Sequence, residues 1–231
     1  VLVFALVLVG SGAGVSTSGV SSPASSNSPS SISVIVDILN KELGQPDVEG
    51  QTDTYGWQYA FTVDKKIDSK KLIEGIASAS PYIPRFDNMG AFKFDVIKES
   101  YGDTDLNDVP NSTILSDDVI DYSYSRTKIE DVYTKVVFKY NYDYARDIFS
   151  SSVTADIGVL LGLDYYNYDH YGLKLPIEEA DGTYTHPEST LIIDDDRSKY
   201  IRNPDTAKGF AEWMLMWSIN QHLIMKVKLP L

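Results

Sequence analysis

The chain has 231 residues and no cysteine, and its 33 acidic against 20 basic side chains leave a formal charge of −13. That length holds one or two domains with a real core. Lack of cysteine excludes disulfide frameworks, thiolate zinc sites and cysteine nucleophiles, and the acid excess, with no legible basic patch, argues against a free-standing nucleic-acid binder.

Val1–Val9 is a continuous apolar run, VLVFALVLV, far too short to span a bilayer. Its length suits the core of a signal peptide, with the small residues Gly10–Gly14 as a cleavage region, and equally a strand of a preceding domain; both readings stay open. The chain does not begin with methionine, and it reads as a fragment or processed product. Gly10–Ser31 is rich in serine and glycine, carries no charge and has linker composition, with an O-glycosylated stalk as the weaker reading. Residues 1–31 are therefore expected to be dispensable for folding.

Ser33–Leu43 predicts a helix, with Val34, Ile35, Ile38, Leu39 and Leu43 on one face, Gly44 beyond its end and Pro46 preventing continuation. Trp57, Tyr59, Phe61 and Val63 alternate with Gln58, Ala60 and Thr62, the period of a strand. Asp68 or Ser69 caps a second helix over Lys70–Ala79 that buries Leu72, Ile73, Ile76 and Ala77. A hairpin follows, Tyr82–Phe86 and Ala91–Ile97 around a turn at Asp87–Gly90. Residues 32–114 thus form a small α+β unit. In its last part Asp103, Asp105 and Asn107 imitate the start of a calcium loop, but Asp108 replaces the required glycine and Ile114 the bidentate glutamate, so a solvated turn is the better reading. Asn111–Ser112–Thr113 is a glycosylation sequon of a kind common by chance.

The second unit, 115–231, is β-rich. Ile120, Tyr122 and Tyr124 fall in phase over Asp118–Tyr124, and Val136, Phe138, Tyr140 and Tyr142 over Thr134–Tyr142, two strands of an antiparallel sheet with one wet face. Residues 150–187 are irregular, an excursion from the sheet with short strands and the tyrosine-dense run LDYYNYDHY. Glu188–Ile193 returns as a strand, and Asp194–Asp196 form a solvated loop, since successive carboxylates on an extended chain point opposite ways. Asn203 caps the most legible helix, with Pro204 at its first position. Ala207, Phe210, Ala211, Met214 and Trp217 share its apolar face, and Trp213 is expected to be partly wet. After Asn220 the period becomes that of a strand carrying Leu223, Met225, Val227, Leu229 and Leu231. Trp57, Phe210, Met214 and Trp217 are the expected core and structural residues.

No catalytic motif is legible. His170, His186 and His222 form no zinc-protease pair, and there is no nucleophile elbow, phosphate loop or dinucleotide fingerprint. Neither catalytic nor metal-binding residues are assigned, and no cofactor is implied. The 16 tyrosines read first as sheet packing and second as a recognition surface.

Four segments together resemble central hub or tail-tip proteins of tailed bacteriophages: SVIVDILNKELG (33–44), GWQYAFTVDKKIDSKKLIEGIASASPYIPRFDNMGAFKF (56–94), DVIDYSYSRTKIEDVYTKVVFKY (118–140) and YIRNPDTAKGFAEWMLMWSINQHLIMKVKLPL (200–231). Residues 1–31 lie outside the resemblance. It implies an α+β fold of mainly antiparallel sheets, a hub-type β domain with the helix–hairpin unit inserted and a helix–strand at the end. It also implies a non-enzymatic virion structural protein at the tail tip, assembled as a ring, commonly trimeric, with copies of itself and other tail proteins. Stable nucleic-acid binding and membrane spanning are not expected. Tyr165, Tyr166, Tyr168 and Tyr171 are the interface candidates, because subunit interfaces favour tyrosine. An exported cell-surface binding module, with carbohydrate as the natural ligand, is the alternative built on Val1–Val9 and the linker. An acidic hydrolase domain of a tail tip is the third reading.

Overall fold

The computed structural model describes residues 3–8, 29–44, 55–63, 66–86, 92–97, 119–160, 177–178, 180, 184–185 and 189–228. They form an α+β fold of three helices and several small, mostly antiparallel sheets that closes with a helix and then a strand. Two clusters of buried side chains organise it.

The first core belongs to the helix–hairpin unit. Helix α1 (Ser31–Asp37) is capped by Ser30, whose side chain accepts from the Ser33 N–H, and passes into a wider π-type turn over Ile38–Glu42. Ile32, Ile35 and Leu39 are buried, whereas Leu43, expected on the same face, is exposed, because the wider turn rotates it away. Gly44 follows at φ +61°, the left-handed end expected for it. Helix α2 (Ser69–Ser78) is capped by Asp68 and buries Ile73, Ile76 and Ala77. Strands β2 (Tyr82–Phe86) and β3 (Phe92–Val96) form the expected hairpin, and Tyr82 and Phe94 close this core.

In the second core, β5 (Lys135–Asp143) is central: it pairs antiparallel with β6 (Ile148–Asp156) and parallel with β9 (Thr190–Ile193). Helix α3 (Pro204–Ser218) lies over β5 and β6, capped by Asn203 with Pro204 in its first turn. Val136 and Phe138 from β5 meet Phe210, Ala211 and Leu215 from α3. The excursion begins later than 150, since residues up to Asp156 belong to β6; the alternation of Phe149, Ser151, Val153 and Ala155 on its inward face is diluted by serine. Short strands β7 (Ile177–Glu178) and β8 (Tyr184–Thr185) pair within it.

Several expectations change. Residues 57–63 are not a strand. They run as a strap with one isolated bridge, Ser30 to Gln58, and hand their backbone N–H groups to different partners. Gln58 N–H donates to Thr206 Oγ1, Tyr59 N–H to Pro29 O, Ala60 N–H to Tyr200 O and Thr62 N–H to the Tyr144 hydroxyl. Tyr59 is buried in the second core while Phe61 packs on the first, so the strap joins both. The apolar face of α3 is centred on Ala207, Phe210, Ala211 and Leu215; Met214 and Trp217 flank it, half-buried. Nor is all of 1–31 outside the fold. Residues 29–31 supply the α1 cap and the Tyr59 bond, and β1 (Val3–Leu8) is a strand. Finally, the strands expected over 118–124 and 134–142 lie in different sheets. The Ile129–Asp131 turn carries the chain from one to the other. The turn at Asp87–Gly90, the calcium-like loop, the sequon, Leu229 and Leu231 lie outside the described residues.

Candidate functional site

A third sheet stands apart from both cores. Strand β10 (Leu223–Lys228) is its centre, with β1 on one side and β4 (Asp121–Arg126) on the other, both antiparallel. The alternation of β10 makes it a strand, and its register sets Val227 against Tyr122, Met225 against Tyr124 and Leu223 against Arg126. On β10's other side Val227, Met225 and Leu223 face Phe4, Leu6 and Leu8 in register.

The sheet is anchored at one corner, where α3 gives way to β10. His222 is buried there and stacks on Trp217, ring centroids 4.3 Å apart. Its Nε2 lies 2.6 Å from the Trp217 carbonyl, which can only accept, so Nε2 carries the proton. Nδ1 is buried without a partner. Thr127 N–H donates to the His222 carbonyl and Gln221 Nε2 to the Thr127 carbonyl. His222 is thus a structural residue of the corner.

Beyond the corner, among the described residues, β1, β4 and β10 make extensive contact only with one another, and no residue of β4 or β10 joins either buried cluster. All of β4 is exposed. Tyr122 and Tyr124 are 61% and 56% exposed and touch edge to face, centroids 5.5 Å apart; Ile120 beside them is 59% exposed. The outer edge of β4 pairs with no described strand. Because Thr127 bonds to His222, the alternation of the ladder turns the N–H and C=O of Tyr122, Tyr124 and Arg126 toward that open edge.

The charge of this sheet opposes that of the chain. Over 121–128 and 223–228, Arg126, Lys128, Lys226 and Lys228 stand against Asp121 alone, so the rest of the chain is even more acidic than the whole. Among the described residues no carboxylate lies within ion-pair range of these four cations, as is true also of Lys66, Lys71 and Arg202, whereas Lys41, Lys70, Arg85, Lys135, Lys139, Arg146, Arg197, Lys199 and Lys208 are all paired.

Two other places invite a chemical reading. At the β5–β6 turn, Tyr142 donates to the Asp147 carboxylate, Lys199 sits 4.9 Å over the Tyr142 ring and pairs with Asp196 at 2.7 Å, and Arg202 lies over Tyr144. The Asp147 hydrogen bond raises the Tyr142 hydroxyl above its ordinary value, the Asp196 bond raises Lys199, and burial raises Tyr200. Each shift favours the protonated form, the opposite of what a tyrosinate or amine nucleophile needs. The cluster holds the turn. The second place is a shallow recess of about 310 Å³ between the end of α2 and β2, lined by Glu74, Ala77, Ser78, Tyr82, Ile83 and Ile97. Its polar side chains are the Glu74 carboxylate and the hydroxyls of Ser78, Ser80 and Tyr82. No group of metal-ligating side chains comes together among the described residues, and Asp194–Asp196 are occupied: Asp194 by Lys139, Asp195 as cap of the 196–200 turn and Asp196 by Lys199.

Of the residues singled out by sequence, Phe210 is fully buried, Trp57 and Met214 pack half-buried against the same core, and Trp217 braces His222. Tyr165, Tyr166, Tyr168 and Tyr171, with His170 and His186, lie outside the described residues. Sequence reasoning passed over Tyr122 and Tyr124 as recognition residues. A signal was present: in DYSYSR the tyrosines alternate with serines, so neither face is aliphatic, unlike KVVFKY in β5. Among described residues no helix is long and apolar enough to cross a membrane. Comparison with family models, curated proteins and solved structures returns no match.

Proposed function

We propose that this chain is a non-enzymatic assembly subunit, of the kind found at the tail tip or baseplate hub of tailed bacteriophages, linking tail tube to fibres through protein–protein contacts. The observation that carries the assembly reading is the β1–β10–β4 sheet. It shows two tyrosines and, among the described residues, backbone groups and cations without partners, surfaces that a second protein chain matches. The phage setting is carried by the resemblance of the four segments alone. In a ring, copies meet through the same pair of surfaces at every boundary. The tyrosines at 165, 166, 168 and 171 are proposed to contribute to those boundaries or to face a neighbouring tail protein.

The test is sedimentation of the complete gene product beside a variant with Tyr165, Tyr166, Tyr168 and Tyr171 changed to serine. An oligomer, expected to be a trimer, that weakens in the variant while circular dichroism stays unchanged supports the reading. Hydrolysis of peptidoglycan or polysaccharide by this chain overturns it in favour of a tail-tip hydrolase. Binding of polysaccharide by a monomer, without turnover, overturns it in favour of the exported binding module.

A further inference from the structure

We infer that the outer edge of β4 receives an acidic extended segment of a second copy of this chain as an added strand, which rests on the assembly reading above and assigns it a surface. Four observations converge. The edge offers the backbone N–H and C=O of Tyr122, Tyr124 and Arg126, and a β-ladder is the arrangement that satisfies such a row. The side chains beside that row are Tyr122 and Tyr124, each more than half exposed and already in edge-to-face contact, able to cover an incoming strand with little further loss of freedom. Arg126, at the end of the same strand, and Lys128 just beyond it are exposed and without a carboxylate partner among the described residues, so the edge carries a basic end that fits an acidic occupant.

The fourth observation is what the strand lacks. Exposed edges are ordinarily guarded by lysine, proline or a covering element. β4 itself has neither lysine nor proline, its two charges, Asp121 and Arg126, stand at its ends, and no described element covers it.

Charge selects the occupant. The chain carries −13 overall while these strands are locally positive, so the acidic surface that this basic end fits belongs most directly to another copy. The contact is heterologous, because the receiving edge and the acidic segment are different parts of one surface. Repeated around an axis such a contact closes a ring, and without closure it grows a filament.

The experiment is sedimentation velocity of the 231-residue chain over a concentration series, at about 0.05 M and about 0.5 M salt, where screening lengths differ several-fold. Two variants accompany it. Tyr124→Pro removes an edge donor and one ring while leaving the ladder to β10. Arg126→Glu with Lys128→Glu reverses the charge beside the edge at exposed positions, so a fold defect in one variant leaves the other informative. We expect concentration-dependent association that weakens with salt, and a shift of at least about tenfold in the association midpoint for each variant that keeps its melting temperature. Association unchanged in both variants but lost in the four-tyrosine variant overturns the β4 assignment and leaves the assembly reading standing. A monomer at every concentration and salt overturns both.

Discussion

Strands β4 and β5 both carry tyrosines at alternate positions and are separated by one short turn, yet their surroundings are opposite. β5 lies between β6 and β9 with α3 across it, and Val136, Phe138 and Tyr142 are buried. Among the described residues β4 has one neighbour and no cover, and every residue of it is exposed. In both, alternation sets which residues share a face of the strand. Whether that face meets a core depends on what the chain brings over it. In β5 the aliphatic pairs of KVVF have α3 to meet. In β4 serines take their place and no described element covers them.

The largest effect should separate the two regions outright. Phe210 is fully buried, 4.8 Å from Phe138 and edge-on to Trp57 at 6.1 Å. Phe210→Ala is expected to cost about 3–5 kcal/mol in urea unfolding, the range for a core aromatic. Tyr124→Ala should stay within about 0.5 kcal/mol of the parent monomer, as at an ordinary surface position. A comparable loss at Tyr124 would mean that β4 is packed in solution. Within α3 the comparison sharpens. Leu215→Ala should cost about 2–5 kcal/mol, and Trp213→Ala and Trp217→Ala less, about 1–2 kcal/mol each, since only part of each ring leaves water. A loss at Trp217 matching that at Leu215 would restore the helix face that the sequence pattern favours.

The joint between the two cores provides a smaller effect. Gly75 in α2 lies against Tyr200, and a Cβ there would sit 2.3 Å from the tyrosine hydroxyl oxygen. Gly75→Ala is expected to destabilise by about 1–3 kcal/mol, the usual cost of overpacking. The loss should shrink in a Tyr200→Phe background, as a double-mutant cycle in thermal melts would register. The smallest effect is a pH dependence confined to the body. Tyr200 is held above its ordinary value of 10.0 by burial, and Tyr142 above the same value first by its bond to Asp147. The unfolded chain therefore releases these protons first as pH rises. Their contribution is fully present below about pH 10 and is lost as pH climbs through the folded-state values. Melting temperature against pH should fall above that point and fall less steeply in Tyr200→Phe. An unchanged slope would show that Tyr200 titrates freely.

Much of the body was legible because its signals are local. Asp68 and Asn203 carry cap chemistry, Pro204 and Gly44 mark helix limits, and the α2 face follows from spacing. What escaped depends on long-range partners. The strap at 57–63 has strand periodicity, but its N–H groups go to Pro29, Tyr200, Thr206 and Tyr144, and no sequence rule foretells that distribution. Leu215 outranks Trp217 because the sheet surface selects which part of a broad apolar stripe it covers. Of the proposed assembly surface, the alternation of β4 was readable, and its isolation was not: that depends on β10 pairing across nearly a hundred residues, as the contact of Thr127 with His222 at a separation of 95 illustrates.

The parallel placement of β9 has a kinetic consequence. Strands β5 and β6 meet through a turn of a few residues, with Asn141 and Asp147 both at φ +57°. β9 reaches the far edge of β5 only after the chain has crossed the sheet, and the bond between Thr134 and Ser189 closes 55 residues. The hairpin therefore forms on the timescale of local turns, while β9 awaits the slower closure of a long loop. Until it docks, the β9 side of β5 is an unpaired edge. In pulse-labelled hydrogen exchange during refolding, amides shared by β5 and β6 should gain protection before those of Thr190–Ile193.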